Sequence, residues 1–281
     1  MDQKLEKIRD QQQQRWNQVA AGWDKWERYT SGLLGTTNEA MIRKLELKAG
    51  DRVLDIATGT GEPALSIAAR IGEGRVTMTD LSENMLAVAV KNAGLRNISN
   101  IEAIACDVSY LPFADASFDA ISCRMGLMFF PDLSLAAAEM YRVLRPGGLL
   151  VVSVWEARAF NDWVGFAMDT ISAYTTPAAP DPHAPGLFRC SLPGSVSGLL
   201  QQAGFTHCEE ESVRGLFTME NAETYWAFHS EVAAPLKALL EKTDPETRSA
   251  IRQDVIRVLN QKFGEDPLEL SYGVRVIAAK K

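Results

Sequence analysis

A short apolar run, closed by a glycine turn and followed at once by a helical pattern, is the feature that most constrains this chain. Asp51–Ala64 reads D-R-V-L-D-I-A-T-G-T-G-E-P-A. Val53, Leu54 and Ile56 suit a buried strand, Gly59-Thr60-Gly61 a tight turn, and the stretch opening at Glu62-Pro63 a helix. Strand, glycine turn and helix in that order build a nucleotide pocket at the carboxyl edge of an α/β sheet. Because glycine has no Cβ, Gly59 and Gly61 allow a ligand to approach the backbone closely.

The alternation continues downstream. Ala64–Ile71 reads as helix, Arg75–Thr79 as a strand ending at Asp80, and Ser82 as the cap of a helix through Ala93 with Gly94 behind it. Ile101–Cys106 is a strand ending at Asp107, and Phe118–Arg124 is another. Leu133–Leu144 is a helix stopped by Arg145-Pro146-Gly147-Gly148, and Leu149–Trp155 is the fifth strand. Such a run predicts an α/β fold with a doubly wound, mainly parallel sheet. Upstream, Asp2–Gln14 is polar and reads as a solvated helix or frayed tail. Trp16, Val19, Ala20, Trp23 and Trp26 mark a helix from Arg15 to about Tyr29 that breaks at Gly32 and Gly35, with a second short helix over Asn38–Leu47. The tryptophan stripe either packs onto the main domain or forms a lid over a ligand. Beyond Trp155 the expected elements are a helix over Ala159–Tyr174, an extended loop over Thr175–Pro185 and a helix over Pro193–Ala203. A strand over Phe205–Val213, a largely helical stretch over Thr218–Phe263 and a last strand over Ser271–Ala279 complete the chain.

Three strand ends carry acids. Asp55 lies four residues before Gly59, and Asp80 and Asp107 end the next two strands. Ligands bind at the carboxyl ends of parallel strands, so the three carboxylates converge on one edge. One such Asp is ordinarily a turn or cap residue; three at consecutive strand ends beside a glycine turn favour a ligand. Taken alone, the turn also fits a dinucleotide, with Asp80 near the place of a ribose-binding acid. Yet Pro63 removes a donor that a pyrophosphate would use at the helix start, and Glu62 places a carboxylate where an anion should sit. The acids suit a ligand bearing an ammonium and a sulfonium. The net charge of −7 supplies no basic face for nucleic acid. The four cysteines show no C-x-x-C spacing, so no metal is expected. A polar N-terminus and the lack of a membrane-spanning apolar run lead us to expect a cytoplasmic protein without membrane association.

Taken together, V-L-D-I-A-T-G-T-G at Val53–Gly61, M-T-D-L-S-E-N-M at Met78–Met85, A-C-D-V at Ala105–Val108 and L-R-P-G-G at Leu144–Gly148 resemble a class I S-adenosylmethionine-dependent methyltransferase. Within that class the set is similar to the ubiquinone/menaquinone-biosynthesis type. The resemblance spans roughly Gly50 to Val154. It implies a seven-stranded sheet of order 3-2-1-4-5-7-6 with the last strand antiparallel, preceded by an N-terminal helical lid over residues 1–48. The S-adenosylmethionine-binding domain would then be 49–281, with substrate-cap insertions at about 159–200 and 218–265. It also implies roles. Ala57, Thr58, Gly59, Thr60 and Gly61 would wrap the methionine moiety, and Asp55 would orient its amino end. Asp80 would accept the ribose hydroxyls, Leu81 and Met85 would cover the adenine, and Asp107 with the Val108 N–H would read the adenine edge. Arg124 would offer its backbone carbonyl to the ammonium, and Tyr29 would approach the methyl. Quinone methyltransferases of this type commonly read F-G-L-R-N after the fourth strand, whereas this chain has Met125-Gly126-Leu127-Met128-Phe129.

The expected reaction is transfer of a methyl group from S-adenosylmethionine, leaving S-adenosylhomocysteine, to a small aromatic or hydrophobic acceptor at oxygen, with carbon and nitrogen as alternatives. A nicotinamide-dependent oxidoreductase and an S-adenosylmethionine-binding protein without transfer activity are the competing readings. Of the three histidines, His229 lies among Tyr225, Trp226 and Phe228 and is the candidate base, ahead of His183 and His207. The acceptor would be read by Trp16–Leu34, Ala159–Arg189 and Met219–Phe263. A homodimer is compatible with this reading.

Overall fold

The computed structural model describes residues 3–174, 184–264 and 267–281. Seven strands form one sheet in the order β3-β2-β1-β4-β5-β7-β6. The strands are β1 (Arg52–Ile56), β2 (Arg75–Asp80), β3 (Ile101–Ala105), β4 (Phe118–Arg124), β5 (Leu144–Trp155), β6 (Thr206–Met219) and β7 (Leu268–Lys280). The first five run parallel, and β7 lies antiparallel between β5 and β6. The centre of the sheet is sealed on both faces. Val53, Leu54 and Ile56 on β1, Val76 and Met78 on β2, and Ala120 and Ile121 on β4 are all buried. That is why these strands are near-continuous apolar runs rather than alternating ones.

Helices flank the sheet: α1 (Gln3–Lys25), α2 (Glu27–Lys44), α3 (Ala64–Ala68), α4 (Glu83–Leu95), α5 (Leu133–Val143), α6 (Asp162–Ser172), α7 (Ser195–Gln202), α8 (Ala222–Val232), α9 (Ala234–Lys242) and α10 (Pro245–Phe263). Several begin at a side-chain cap. Ser82 Oγ accepts from the Met85 N–H, and the carboxylates of Asp132 and Asp244 accept from the N–H groups of Leu135 and Thr247. A cap of this kind stabilises a helix by about 1 kcal/mol.

The N-terminal region departs from the expected pattern. The glutamine run is neither frayed nor solvated throughout, because α1 is continuous to Lys25, Gln12 is 6% exposed, and Gln13 Nε2 donates to the Leu81 carbonyl at 3.1 Å. The break falls at Trp26, and α2 passes through Gly32 and Gly35. Each helical glycine costs about 1 kcal/mol relative to alanine; burial of Leu33, Leu34, Met41 and Ile42 outweighs this. α1 packs on α4, α8 and α9, and α2 packs on β5, β6 and β7. β6 extends six residues beyond Val213, and the stretch after it divides into three helices. As an outer strand β6 buries little along most of its length, so its apolar signal is weak. The proline-rich loop, with His183, lies outside the described residues except at its C-terminal end.

At the end of β5 a buried carboxylate ties the antiparallel strands together. Glu156 is fully buried and accepts from Ser212 Oγ at 2.7 Å, Arg214 Nε at 2.6 Å and Arg275 Nη2 at 3.0 Å. Nothing in the sequence pattern had marked it.

Candidate functional site

The glycine turn leaves β1 in a strained conformation. Ala57 and Gly59 both have φ of 55°, and the Thr58 N–H donates to the Thr79 carbonyl at 2.9 Å. Asp80 holds the turn from β2: its Oδ2 accepts from the Gly59 N–H at 2.9 Å, and its Oδ1 accepts from the Ser82 N–H at 2.8 Å. One carboxylate thus fixes both the turn and the start of α4.

These elements border a cavity that opens at the carboxyl edge of the sheet, where ligands of such folds bind. Ala57, Thr58, Gly59, Thr60, Asp80, Leu81, Met85, Asp107, Val108 and Arg124 all line it. A Cβ added at Gly59 would meet nothing within 4 Å, so the missing side chain leaves room on the cavity side. Asp107 Oδ1 accepts from the Ser109 N–H, while its Oδ2 is buried without a partner among the described residues.

Four expected site residues are not at this surface. Asp55 is wholly buried in β1, where Ser122 Oγ donates to its Oδ1 at 2.5 Å and its Oδ2 has no hydrogen-bond partner among the described residues. It sits behind the turn rather than in the cavity wall. Gly61 faces inward, where a Cβ would come within 2.9 Å of Leu65 Cδ1, so close packing rather than ligand approach demands a glycine there. Tyr29 donates its hydroxyl to the Glu220 carboxylate and packs its ring against Trp26, Phe217 and Phe228. His229 is 1% exposed, stacked on Trp163 with ring centroids 5.6 Å apart, and its Nε2 is unpartnered. Burial pushes its pKa down to about 3. Among the described residues it lines neither the cofactor cavity nor the tryptophan-lined one beside it, so the expectation of a general base there is corrected: a base must reach the proton it removes.

Residues outside the expected cofactor set close the cavity. Gln12, Trp16 and Trp23 enter from α1, Leu34 from α2, and Met125, Gly126, Phe129 and Phe130 follow β4. The tryptophan spacing was the available signal for α1; Gln12 carried none. Cys106 also lines the cavity, and burial pushes its thiol up to about 11, while burial raises Cys123 further still. Both are poor nucleophiles.

A second cavity of about 810 Å³ shares Gln12, Trp16, Trp23, Leu34 and Phe129 with the first. Trp155, Trp163, Val164, Leu187, Phe228 and Val232 form its farther walls. Among the described lining residues Arg15 alone is charged. Trp16 and Phe129, edge-on with centroids 5.0 Å apart, stand at the junction.

Residues 53–148 match the family model described as a methyltransferase domain. A ubiquinone/menaquinone biosynthesis C-methyltransferase of Xanthomonas campestris is 31% identical over 212 residues, covering 68% of this chain and 75% of that protein. The chain belongs to the class I S-adenosylmethionine-dependent methyltransferases. A demethylmenaquinone methyltransferase of Geobacillus kaustophilus is 38% identical over 114 residues, covering 40% of this chain and 49% of the relative; the methyltransferase described here thus spans about half the length of that protein. Among solved structures, the YcgJ protein from Bacillus subtilis shares the fold with a TM-score of 0.59 at 19% identity, covering 88% of this chain and 98% of that one. The cofactor is S-adenosylmethionine, and the donor set suits it. Thr58 Oγ1 and Asp107 Oδ2, both buried without a partner among the described residues, belong to residues that line the cavity beside the Asp80 carboxylate, and such acceptors suit a ligand with two cationic groups, an adenine amino group and a ribose diol. Among the described residues no helix is long and apolar enough to cross a membrane, and no acid, His and Cys cluster is placed to hold a metal.

Burial pushes the carboxyls of Asp55 and Asp80 from an ordinary 3.8 up to about 6, against the hydrogen bonds from Ser122 to Asp55 and from the Ser82 and Gly59 N–H groups to Asp80. In the cofactor-free fold these carboxyls keep protons that the unfolded chain has released. Their contribution therefore lowers stability as pH rises through that interval, and the full penalty remains above it. A cationic ligand favours the ionised forms. Affinity for S-adenosylmethionine is accordingly expected to be flat above pH 7 and to weaken by up to about tenfold per pH unit below pH 6 for each group coupled to binding. Calorimetric titrations from pH 5 to pH 8 check this; a constant affinity across that range would contradict it.

Proposed function

We propose that this methyltransferase methylates a small, flat, apolar or aromatic acceptor held in the tryptophan-lined cavity. The observation that carries the reading is that this cavity adjoins the cofactor cavity, the two sharing Gln12, Trp16, Trp23, Leu34 and Phe129 as lining. The cofactor supplies an electrophilic methyl group on a sulfonium and departs as S-adenosylhomocysteine. The chain supplies placement and dryness. Thr58, Gly59 and Thr60 would hold the methionine end, Asp80 the ribose hydroxyls, and Asp107 with Val108 the adenine edge, while Leu81 and Met85 would cover the adenine. Asp55 would act on the cationic end from behind the turn. Aromatic rings on several sides favour a planar acceptor through stacking and edge contacts.

The relatives' names point toward a quinone ring and carbon methylation. The chain departs from that type at Met128, whose side chain is fully buried in the core and offers no charged group to a quinol. A hydroxylated aromatic ring fits both the cavity and this departure. Labelled-methyl assays against phenols, quinols, amines and thiols decide it: label on a phenol or quinol supports the proposal, and transfer confined to aliphatic amines or thiols overturns it. The cavity itself is tested by Val164→Phe, which fills space at a residue that lines only the second cavity. Acceptor kcat/KM is expected to fall by about tenfold or more, equivalent to about 1.4 kcal/mol of lost binding, while the cofactor Kd stays unchanged. Unaltered turnover would place the acceptor elsewhere.

A further inference from the structure

We infer that the Arg124 guanidinium is the anchor for the carboxylate of the cofactor's methionine end. This role is distinct from the backbone-carbonyl contact expected of that residue, and it rests on the placement of the methionine end at the glycine turn. Arg124 ends β4 half-buried, and its Nη1 donates to Asn38 Oδ1 at 3.1 Å. Among the described residues no carboxylate lies within ion-pair distance of it. Burial pushes its pKa down, with the nearby charges of Glu62 and Asp55 pulling the other way. A half-buried guanidinium with one neutral partner gains from an anion that completes its hydrogen bonds.

The surface that Arg124 retains is where an anion would come. It lines the cofactor cavity and also a polar annex of about 250 Å³, and Thr60 of the glycine turn is the other residue common to both. Arg96, the second cation of the annex, is already engaged with Glu62 and Glu27. Glu62, paired to Arg96 through Oε1, keeps its Oε2 in the annex buried without a hydrogen-bond partner among the described residues. A cation without an anionic partner and a free acceptor oxygen therefore line the same annex as Thr60. That arrangement matches an amino acid zwitterion, with its carboxylate toward Arg124 and its ammonium toward Glu62. A guanidinium presents two parallel N–H donors to a carboxylate, which a lysine cannot do.

The test compares two ligands that differ only in the carboxylate: S-adenosylmethionine and decarboxylated S-adenosylmethionine. Wild-type protein is expected to bind the former about tenfold to hundredfold more tightly, the range for a charge-assisted hydrogen-bonded pair. In Arg124→Gln this preference is expected to vanish while affinity for the decarboxylated ligand is kept. Arg124→Lys, which retains the charge without the fork and provides a second variant for folding, should show an intermediate preference. Three outcomes would overturn the assignment. Equal wild-type affinities would show that the carboxylate is not read. A preference surviving in both variants would place its anchor elsewhere. Equal weakening of both ligands in folded variants would mean that Arg124 only supports the turn. Binding of 5′-methylthioadenosine is expected to be the same in wild type and variants; its loss would point to a structural role for Arg124.

Discussion

Asp80→Ala is expected to raise the dissociation constant for S-adenosylmethionine at least about 100-fold, because two kinds of interaction disappear together. The first is the proposed bond to the ribose diol; hydrogen bonds to a charged group contribute about 1.5–3 kcal/mol each. The second is internal. Asp80 alone fixes the Gly59 N–H and the Ser82 N–H, so its removal loosens the turn and the start of α4 before any ligand arrives. Asp80→Asn can accept at only one position and should fall between the two. Isothermal titration gives the affinities, and the thermal midpoint shows that the variant is folded. Wild-type affinity in Asp80→Ala would refute the proposed cofactor pose.

For stability rather than binding, the largest effect is expected at Glu156. Its carboxylate is buried against Arg275 and reaches Arg214 and Ser212 on β6. Removing one partner of a buried ion pair costs about 3–5 kcal/mol, since the remaining charge is left uncompensated. Glu156→Ala should therefore lower the thermal midpoint by about 5–10 °C in a chain of this size. Burial alone would raise the Glu156 pKa, but the hydrogen bonds from Arg214 and Ser212 hold it below the ordinary range. A depressed carboxyl stabilises the fold above its unfolded pKa and stops doing so as pH falls through its folded one. The gap between wild type and variant should thus be full at pH 7 and close under acid conditions. A midpoint within 1–2 °C of wild type at pH 7 would show the network to be dispensable, as surface pairs usually are.

The two residues differ in how visible they were. Asp80 stands at a strand end beside a glycine turn, a position whose chemistry can be read from spacing. Glu156 sits one residue past a strand, and its meaning depends on arginines far away in sequence. The same contrast runs through the fold. The central strands were legible because burial on both faces makes them apolar throughout. β6 was cut short because an outer strand needs no such run, and α2 was cut at Gly32 and Gly35 because helix propensity was outweighed by packing on the sheet. On α8 the aromatic neighbourhood of His229 was evident, but its direction was not. Phe228 and Val232, one turn apart, line the second cavity, whereas Tyr225 and His229, also one turn apart, face the interior. Rotation about a helix axis decides such a case, and only packing sets it. Gln12 gave no signal at all, since a polar side chain in a glutamine run looks solvent-facing until an internal cavity is seen beside it.

The position of α1 has a thermodynamic consequence. Gln12, Trp16 and Trp23 belong to both cavities, and the helix that carries them is tied down by Gln13 to the Leu81 carbonyl, by Trp23 to the Val232 carbonyl and by Lys237 to the Gln18 carbonyl. With donor and acceptor placed as proposed, both lean on this one shared partition. Any free energy that one ligand spends or gains in setting that partition is passed to the other, and reciprocity requires the effect to be equal in both directions. The affinities of the two substrates are then properties of the pair, and a change in α1 retunes both together.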